Sequence, residues 1–435
     1  MQVILFVLII MPGVIAAKRY ETFTRANPST CNFVYHTAAF TCVIALANLL
    51  AMHLRGWKAY TFDTLSVGFI EKYLIADLLL VLTLPWLAFL ITQSRKSQEI
   101  FTGGGYRKSW IDFAKVTGLA MIILAHVSPP NILFQIRNFD VPFMVFLSGI
   151  LAADSLKREK KKAAYRFSGY IRKRVSRLLL PTWCFLGFYF VALHMLGVQF
   201  SSAVIMKSFL LQHDSIGYVW VIWIYLMCGI MVPFFDRIST HRLLMLAGCA
   251  AAYLVFEICF ARRLGTGSRL LSTTVYYAVP YGIITVLGMY YHSFRKQTKK
   301  GIIAAGMLVY LFLAVYFYRQ HGGYLSTQVY KYPPRLYYMS YGIAMSMLAS
   351  YILESKSSPL YQSRLIRFIS ASSLWIYLWH IFYLKLVPYF VGNTWYLVYI
   401  TVAACSMLTV YLQNLVVNYF EEQKKYLPLI RILKG

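Results

Sequence analysis

The chain has 435 residues, 59% of them hydrophobic and 13% charged, with a mean hydropathy of +0.58. An ordinary soluble domain is about half apolar and about a quarter charged, so this composition excludes a single water-soluble core and leaves lipid as the solvent. The net charge of +28, from 43 Lys+Arg against 15 Asp+Glu, sits between apolar runs, where it reads as topology signal and lipid contact and not as a nucleic-acid surface.

Thirteen runs approach the roughly 20 apolar residues that a spanning helix needs. The first three cover about residues 3–17, 34–54 and 68–92. Met1 to Ala17 is short, and Ala16-Ala17 resembles a signal-peptidase site. Its positive charges, Lys18 and Arg19, come after the apolar run, which favours a retained helix with its N-terminus outside. Gln93 to Ser109, with Gly103-Gly104-Gly105, reads as a linker. Ten runs follow, near 111–128, 138–154, 178–197, 216–235, 242–260, 272–292, 301–318, 335–353, 371–390 and 396–419. The expected organisation is an all-α integral membrane protein, a polytopic helical bundle of about 13 transmembrane helices. Residues 1–92 hold three helices, 93–109 a cytoplasmic linker, 110–420 a ten-helix membrane domain and 421–435 a basic cytoplasmic tail.

Basic residues fall mostly in alternate loops: Lys18/Arg19/Arg25, Arg95/Lys96/Arg107/Lys108, Lys157–Arg177, Arg237/Arg242, Arg295/Lys296/Lys299/Lys300 and Lys356/Arg364/Arg367. With Lys424, Lys425, Arg431 and Lys434 in the tail, the positive-inside rule places these loops and the C-terminus in the cytoplasm. Arg262, Arg263 and Arg269 are the exception. The seven cysteines form no CxxC pair, which indicates neither a disulfide framework nor a metal site.

Ionisable residues inside a span usually face a bundle interior or a water-filled cavity. The run SWIDFAKVTGLAMIILAHVSPP holds Asp112, Lys115 and His126. Lys115 and His126 are eleven apart, close to three turns and roughly 16 Å along the axis, and so share one face. Asp112 is three residues before Lys115, on nearly the same stripe. Two readings fit: a polar path leading to a histidine suited to general-base work, or interfacial residues snorkelling at helix ends. Ten of the 21 residues from Lys157 to Arg177 are Lys or Arg. That segment is either a stop-transfer and lipid-anchoring loop or, through Arg174 and Arg177 on one helix face, a phosphate site.

Several motifs, taken in order, resemble the membrane-bound acyltransferase 3 family over Trp110 to about Tyr383. They are Asp112, Lys115 and His126; Phe139-Asp140-Val141-Pro142-Phe143 with Phe146-Leu147-Ser148-Gly149; Arg174-Val175-Ser176-Arg177 with Pro181; and Ser373–His380. Tyr218-Val219-Trp220 and Lys331-Tyr332-Pro333-Pro334 with Tyr337-Tyr338 are weaker matches. The Lys at 115 replaces the commoner Arg. The resemblance implies an O-acyltransferase in a bacterial inner membrane that moves an acyl group, usually acetyl, from cytoplasmic acyl-CoA to a hydroxyl of an extracytoplasmic or lipid-linked glycan. Acyl-CoA is then a substrate, with no bound cofactor or metal. His126 would be general base or transient acyl acceptor, and Lys115, a second catalytic residue, would line the donor path or stabilise developing negative charge. Arg174 and Arg177 would hold the CoA phosphates, Asp112, Asp140 and Ser148 would support, and His380 would be structural. A competing reading is a transporter or exporter of a lipid-linked glycan using the same polar stripe. Such proteins often show internal repeats or paired broken helices, and neither is evident. A third, a structural subunit of a polysaccharide assembly machine, leaves the ordered polar motifs unexplained.

Overall fold

A computed structural model describes residues 108–162, 165–212, 215–238, 241–260, 269–356, 358–422, 430 and 432–433. The three N-terminal runs, nearly all of the linker and most of the basic tail lie outside the described residues. Among those described, the protein is helical, with no strand and one isolated bridge, Lys331 to Pro334. The helices are α1 (Ser109–Ala125), α2 (Asn131–Ile136), α3 (Asp140–Lys160), α4 (Phe167–Met195), α5 (Ser202–Phe209), α6 (Trp220–Ile238) and α7 (Arg242–Val255). They continue with α8 (Arg269–Tyr290), α9 (Lys296–His321), α10 (Leu336–Ser355), α11 (Arg364–Ala371), α12 (Ser373–Val391) and α13 (Trp395–Glu422).

Each of the ten apolar runs after the linker coincides with a long helix, and among the described residues eight helical segments are long and apolar enough to cross a membrane. Membrane residence follows from where their apolar surface goes. Helix α9 exposes Leu308 (67%) and Phe312 (70%), and the most apolar stretch of this helix buries nothing. A helix that is apolar and unburied needs lipid as its solvent.

Helix ends depart from the sequence expectation for a physical reason: hydropathy marks the lipid-facing length, whereas backbone hydrogen bonding carries on into water. Helix α3 runs on through Lys157, Arg158 and Lys160, and α4 begins at Phe167. The expected basic loop Lys157–Arg177 is therefore mostly two helix ends joined by a short connection. Lys162 and Lys173 meet Glu159 at 2.9 and 3.4 Å, and Lys160 pairs with Asp236. Helix α1 stops at Ala125, so His126 is its C-terminal cap and not, as the run 111–128 implied, a helical residue. Ser128 takes a left-handed turn (φ +52°) and Pro129-Pro130 follow, a sequence that cannot continue a helix.

The chain forms two compact units. The larger comprises residues 107–361 with 420–435. In it α3 is the central helix, packed on α1, α6, α8 and α10. Gly149 of α3 and Gly288 of α8 make the closest approach: a Cβ on Gly288 would lie 2.2 Å from the Phe146 carbonyl oxygen, and one on Gly149 would lie 2.5 Å from that of Thr285. Small residues let membrane helices touch backbone to backbone. Gly288→Ala is expected to push the two helices apart and destabilise the protein by about 1–3 kcal/mol or more, read as a lower melting temperature in detergent. Gly118→Ala is the control, because the tight contacts of its new methyl are with the flexible Met144 side chain, and Phe143 lies at an ordinary 3.5 Å.

The described part of the smaller unit, 362–419, contains α11, α12 and most of α13. Helices α12 and α13 are tied by Trp379 Nε1 donating to Gln413 Oε1 (3.0 Å) and by the Tyr383 and Thr409 hydroxyls at 2.6 Å. His380 is fully buried, with its Nδ1 at the Tyr377 carbonyl, the place of a structural residue.

Candidate active site

Chain order sets two ends on the larger unit. At one end α1 finishes and α3, α6 and α10 begin; at the other α1 begins and α3, α6 and α10 finish. His126 and Asp140 therefore share one end, while Arg174, Arg177 and the basic helix termini share the other.

His126 is half-buried, its backbone N–H bonded to Ile123 O. Its ring meets Tyr218 edge-on, with centroids 4.7 Å apart and planes at 90°. The aromatic start of α6 thus fixes the imidazole, and the weak Tyr218-Val219-Trp220 motif acquires a structural reason. Asp112 is buried at 3% exposure and Lys115 half-buried, both on α1 and toward its basic end. Ser148 is half-buried on α3, directly before Gly149.

Asp140 is the centre of a buried charge cluster. Its Oδ2 accepts from Arg137 Nη1 at 2.7 Å, its Oδ1 accepts from the Val141 backbone N–H at 2.8 Å, and Lys331 Nζ lies 3.6 Å from Oδ1. Asp140 thus ties the end of α2, the start of α3 and the segment carrying Lys331 to one another. Arg137 has a single sequence signal, its i,i+3 spacing to Asp140. Lys331 lies in the Lys331-Tyr332-Pro333-Pro334 motif, and 191 residues separate it from Asp140. Burial pushes the Lys331 ammonium below its usual range, with Asp140 pulling the other way. The segment carrying Lys331 is pinned by Asn138 Nδ2 donating to Thr327 Oγ1 and Ser326 Oγ donating to Gln135 Oε1, each at 2.7 Å.

At the opposite end Arg174 is half-buried and Arg177 exposed, three residues apart on α4. Arg174 reaches inward from that end to the middle of α6 at Gly229, where an added Cβ would sit 3.1 Å from its Nε. Pro181, four residues after Arg177, removes the backbone donor that the Arg177 carbonyl would otherwise receive. A second polar cluster occupies this end and has no sequence motif. His292 Nε2 lies 2.9 Å from Lys108 Nζ and 3.9 Å from Asp154 Oδ2, and its Nδ1 lies 3.8 Å from Glu354 Oε1. Glu354 Oε2 also accepts from Lys299 Nζ at 2.6 Å and from the Tyr291 hydroxyl at 2.9 Å. Residues in or flanking five helices, α1, α3, α8, α9 and α10, supply these groups, and only the fold assembles them. Among the described residues no group of three metal-ligating side chains occurs.

A helical membrane unit with ionisable residues gathered at both ends defines a membrane enzyme or a transporter. The family comparison separates the two. The family model described as an acyltransferase domain, Acyl_transf_3, matches residues 108–412, about seven-tenths of the chain. The protein belongs to the acyltransferase 3 family and is a membrane acyltransferase. The match starts where the three N-terminal runs and the linker end, and it reaches further toward the C-terminus than the motifs do. No curated protein and no solved structure matches the chain.

Proposed function

We propose that the protein is an O-acyltransferase of a bacterial inner membrane, transferring an acetyl group from cytoplasmic acetyl-CoA to a hydroxyl of an extracytoplasmic or lipid-linked glycan. The separation of a cationic end from a histidine end within one acyltransferase unit supports this reading most directly. Thirteen spans, with the basic end and the C-terminus in the cytoplasm, complete the proposed topology. CoA phosphates meet Arg174 and Arg177 at the basic end. Lys115, toward the basic end of the same helix face, lines the path along which the acyl-CoA arm reaches His126, and Asp112 orients it. At the far end His126 takes the proton of the acceptor hydroxyl as that oxygen attacks the acyl carbonyl. The C–S bond breaks and the CoA thiolate leaves, to be protonated. In the covalent variant, His126 itself attacks first, and the acceptor then displaces the acyl group from its ring nitrogen.

Purified protein in lipid vesicles, given labelled acetyl-CoA and glycan extracted from a deletion strain, is expected to place label on the glycan as base-labile ester. Glycan from that strain is expected to lack the ester when isolated. An unchanged ester content in the deletion strain would sink the reading. Absence of any acyl-CoA binding would count for transport instead.

A further inference from the structure

The His126 end of the larger unit holds more positive than negative charge in its interior. Arg137, Asp140 and Lys331 are each no more than 4% exposed, and the two cations share the one carboxylate. Charge taken out of water is costly unless paired, so an anion bound here stabilises the Lys331 ammonium against its burial. Lys331 Nζ also lies 5.8 Å from the ring centroids of Tyr332 and Tyr338, contacts that ease burial of the cation without neutralising it.

Two buried polar atoms at the same place make no hydrogen bond: the Nε donor of Arg137 and the Oδ1 acceptor of Asn138. A spare donor on a cation beside a spare acceptor complements a ligand that carries both an anion and hydroxyl groups. Flat apolar faces lie next to them. Trp220 packs on Tyr332 at 5.2 Å and on Tyr277 at 5.3 Å. Tyr332, next in sequence to buried Lys331, is 39% exposed. Two residues before Trp220, Tyr218 holds the His126 ring.

We propose that Arg137, Lys331 and Asn138, with the Tyr332–Trp220 ring pair, form an acceptor subsite for a sugar bearing a carboxylate or a phosphate, whose neighbouring hydroxyl is presented to His126. This rests on the glycan acyltransferase reading. Asp140 holds the two cations in place and leaves one positive charge for the ligand. Tyr332, braced edge-on by buried Trp220, covers the apolar C–H face of the sugar, and Asn138 Oδ1 accepts from a hydroxyl.

The test is a binding titration of the full chain in lipid nanodiscs, read by tryptophan fluorescence with Trp220→Phe as the blank. The probes are methyl glucuronoside, glucose 6-phosphate and neutral methyl glucoside. At least one anionic probe is expected to saturate the signal at a concentration tenfold or more below that of the glucoside, and the tighter anion identifies the source of the charge. Lys331→Met is expected to erase the preference and Lys331→Arg to keep it, each variant first shown to bind acetyl-CoA as wild type does. Equal binding of all three probes by the wild-type protein overturns the subsite, and so does a preference that survives Lys331→Met. The wild-type comparison needs no variant to fold. Acetyl transfer without any anion preference removes this subsite and leaves the acyltransferase reading standing. Anion preference without transfer to any acceptor does the reverse.

Discussion

His126→Ala is expected to lower acyl transfer by about 10²–10⁴-fold, the usual contribution of a positioned general base, while the protein still extracts and runs as a single folded species. Position supports the size of the effect. His126 is the C-cap residue of α1, at a helix end whose partial negative charge stabilises an imidazolium as it forms. Tyr218 meets it edge-on, so the ring is held before substrate arrives and little ordering cost falls on the reaction. Tyr218→Ala should therefore act through His126, lowering turnover by less than His126→Ala does and leaving acyl-CoA binding alone. The base and carrier roles separate on one measurement. A carrier gives protein-bound label from acetyl-CoA in the absence of acceptor, and a base gives none. Wild-type transfer by His126→Ala would remove both roles.

What was legible in the sequence follows from which forces are local. Ten long helices could be located because each apolar run had to meet lipid or a helical neighbour. Their ends were misplaced where charged residues extend a helix past the lipid, as at Lys157–Lys160 of α3 and before Leu178 in α4. Helix α2, six residues long, has too few turns to show a period. His126, Lys115, Arg174 and Arg177 stood out because an ion in or beside an apolar run is costly and therefore conspicuous. Arg137 and Lys331 did not, since neither falls in a motif with an assigned role and their shared carboxylate is a tertiary fact. The His292 cluster draws on Lys108, Asp154, Lys299 and Glu354, residues that look like ordinary helix-end charges until the helices are packed.

Replacing both Arg174 and Arg177 with Ala is expected to weaken acyl-CoA binding by roughly 10–100-fold or more, since a hydrogen bond to a charged group is worth about 1.5–3 kcal/mol. The two positions should differ in a second respect. Arg177 is exposed, so Arg177→Ala is expected to disturb packing less than Arg174→Ala does and, on the proposed reading, to remove a phosphate contact. Arg174 lies along Gly229 of α6, so Arg174→Ala also opens a gap between α4 and α6 and should lower the melting temperature. Arg177→Lys keeps the charge but loses the planar fork, and its binding should fall between wild type and Ala. Titrating each variant with acetyl-CoA and with dephospho-CoA assigns the contact. If Arg177 meets the ribose phosphate, Arg177→Ala costs affinity for acetyl-CoA and little for dephospho-CoA. A lipid-anchoring role predicts something else: unchanged acetyl-CoA affinity and a loss of stability that depends on anionic lipid. Unchanged affinity in the double variant would therefore return these arginines to the membrane surface and leave the donor site to the His292 cluster at the same end of the bundle.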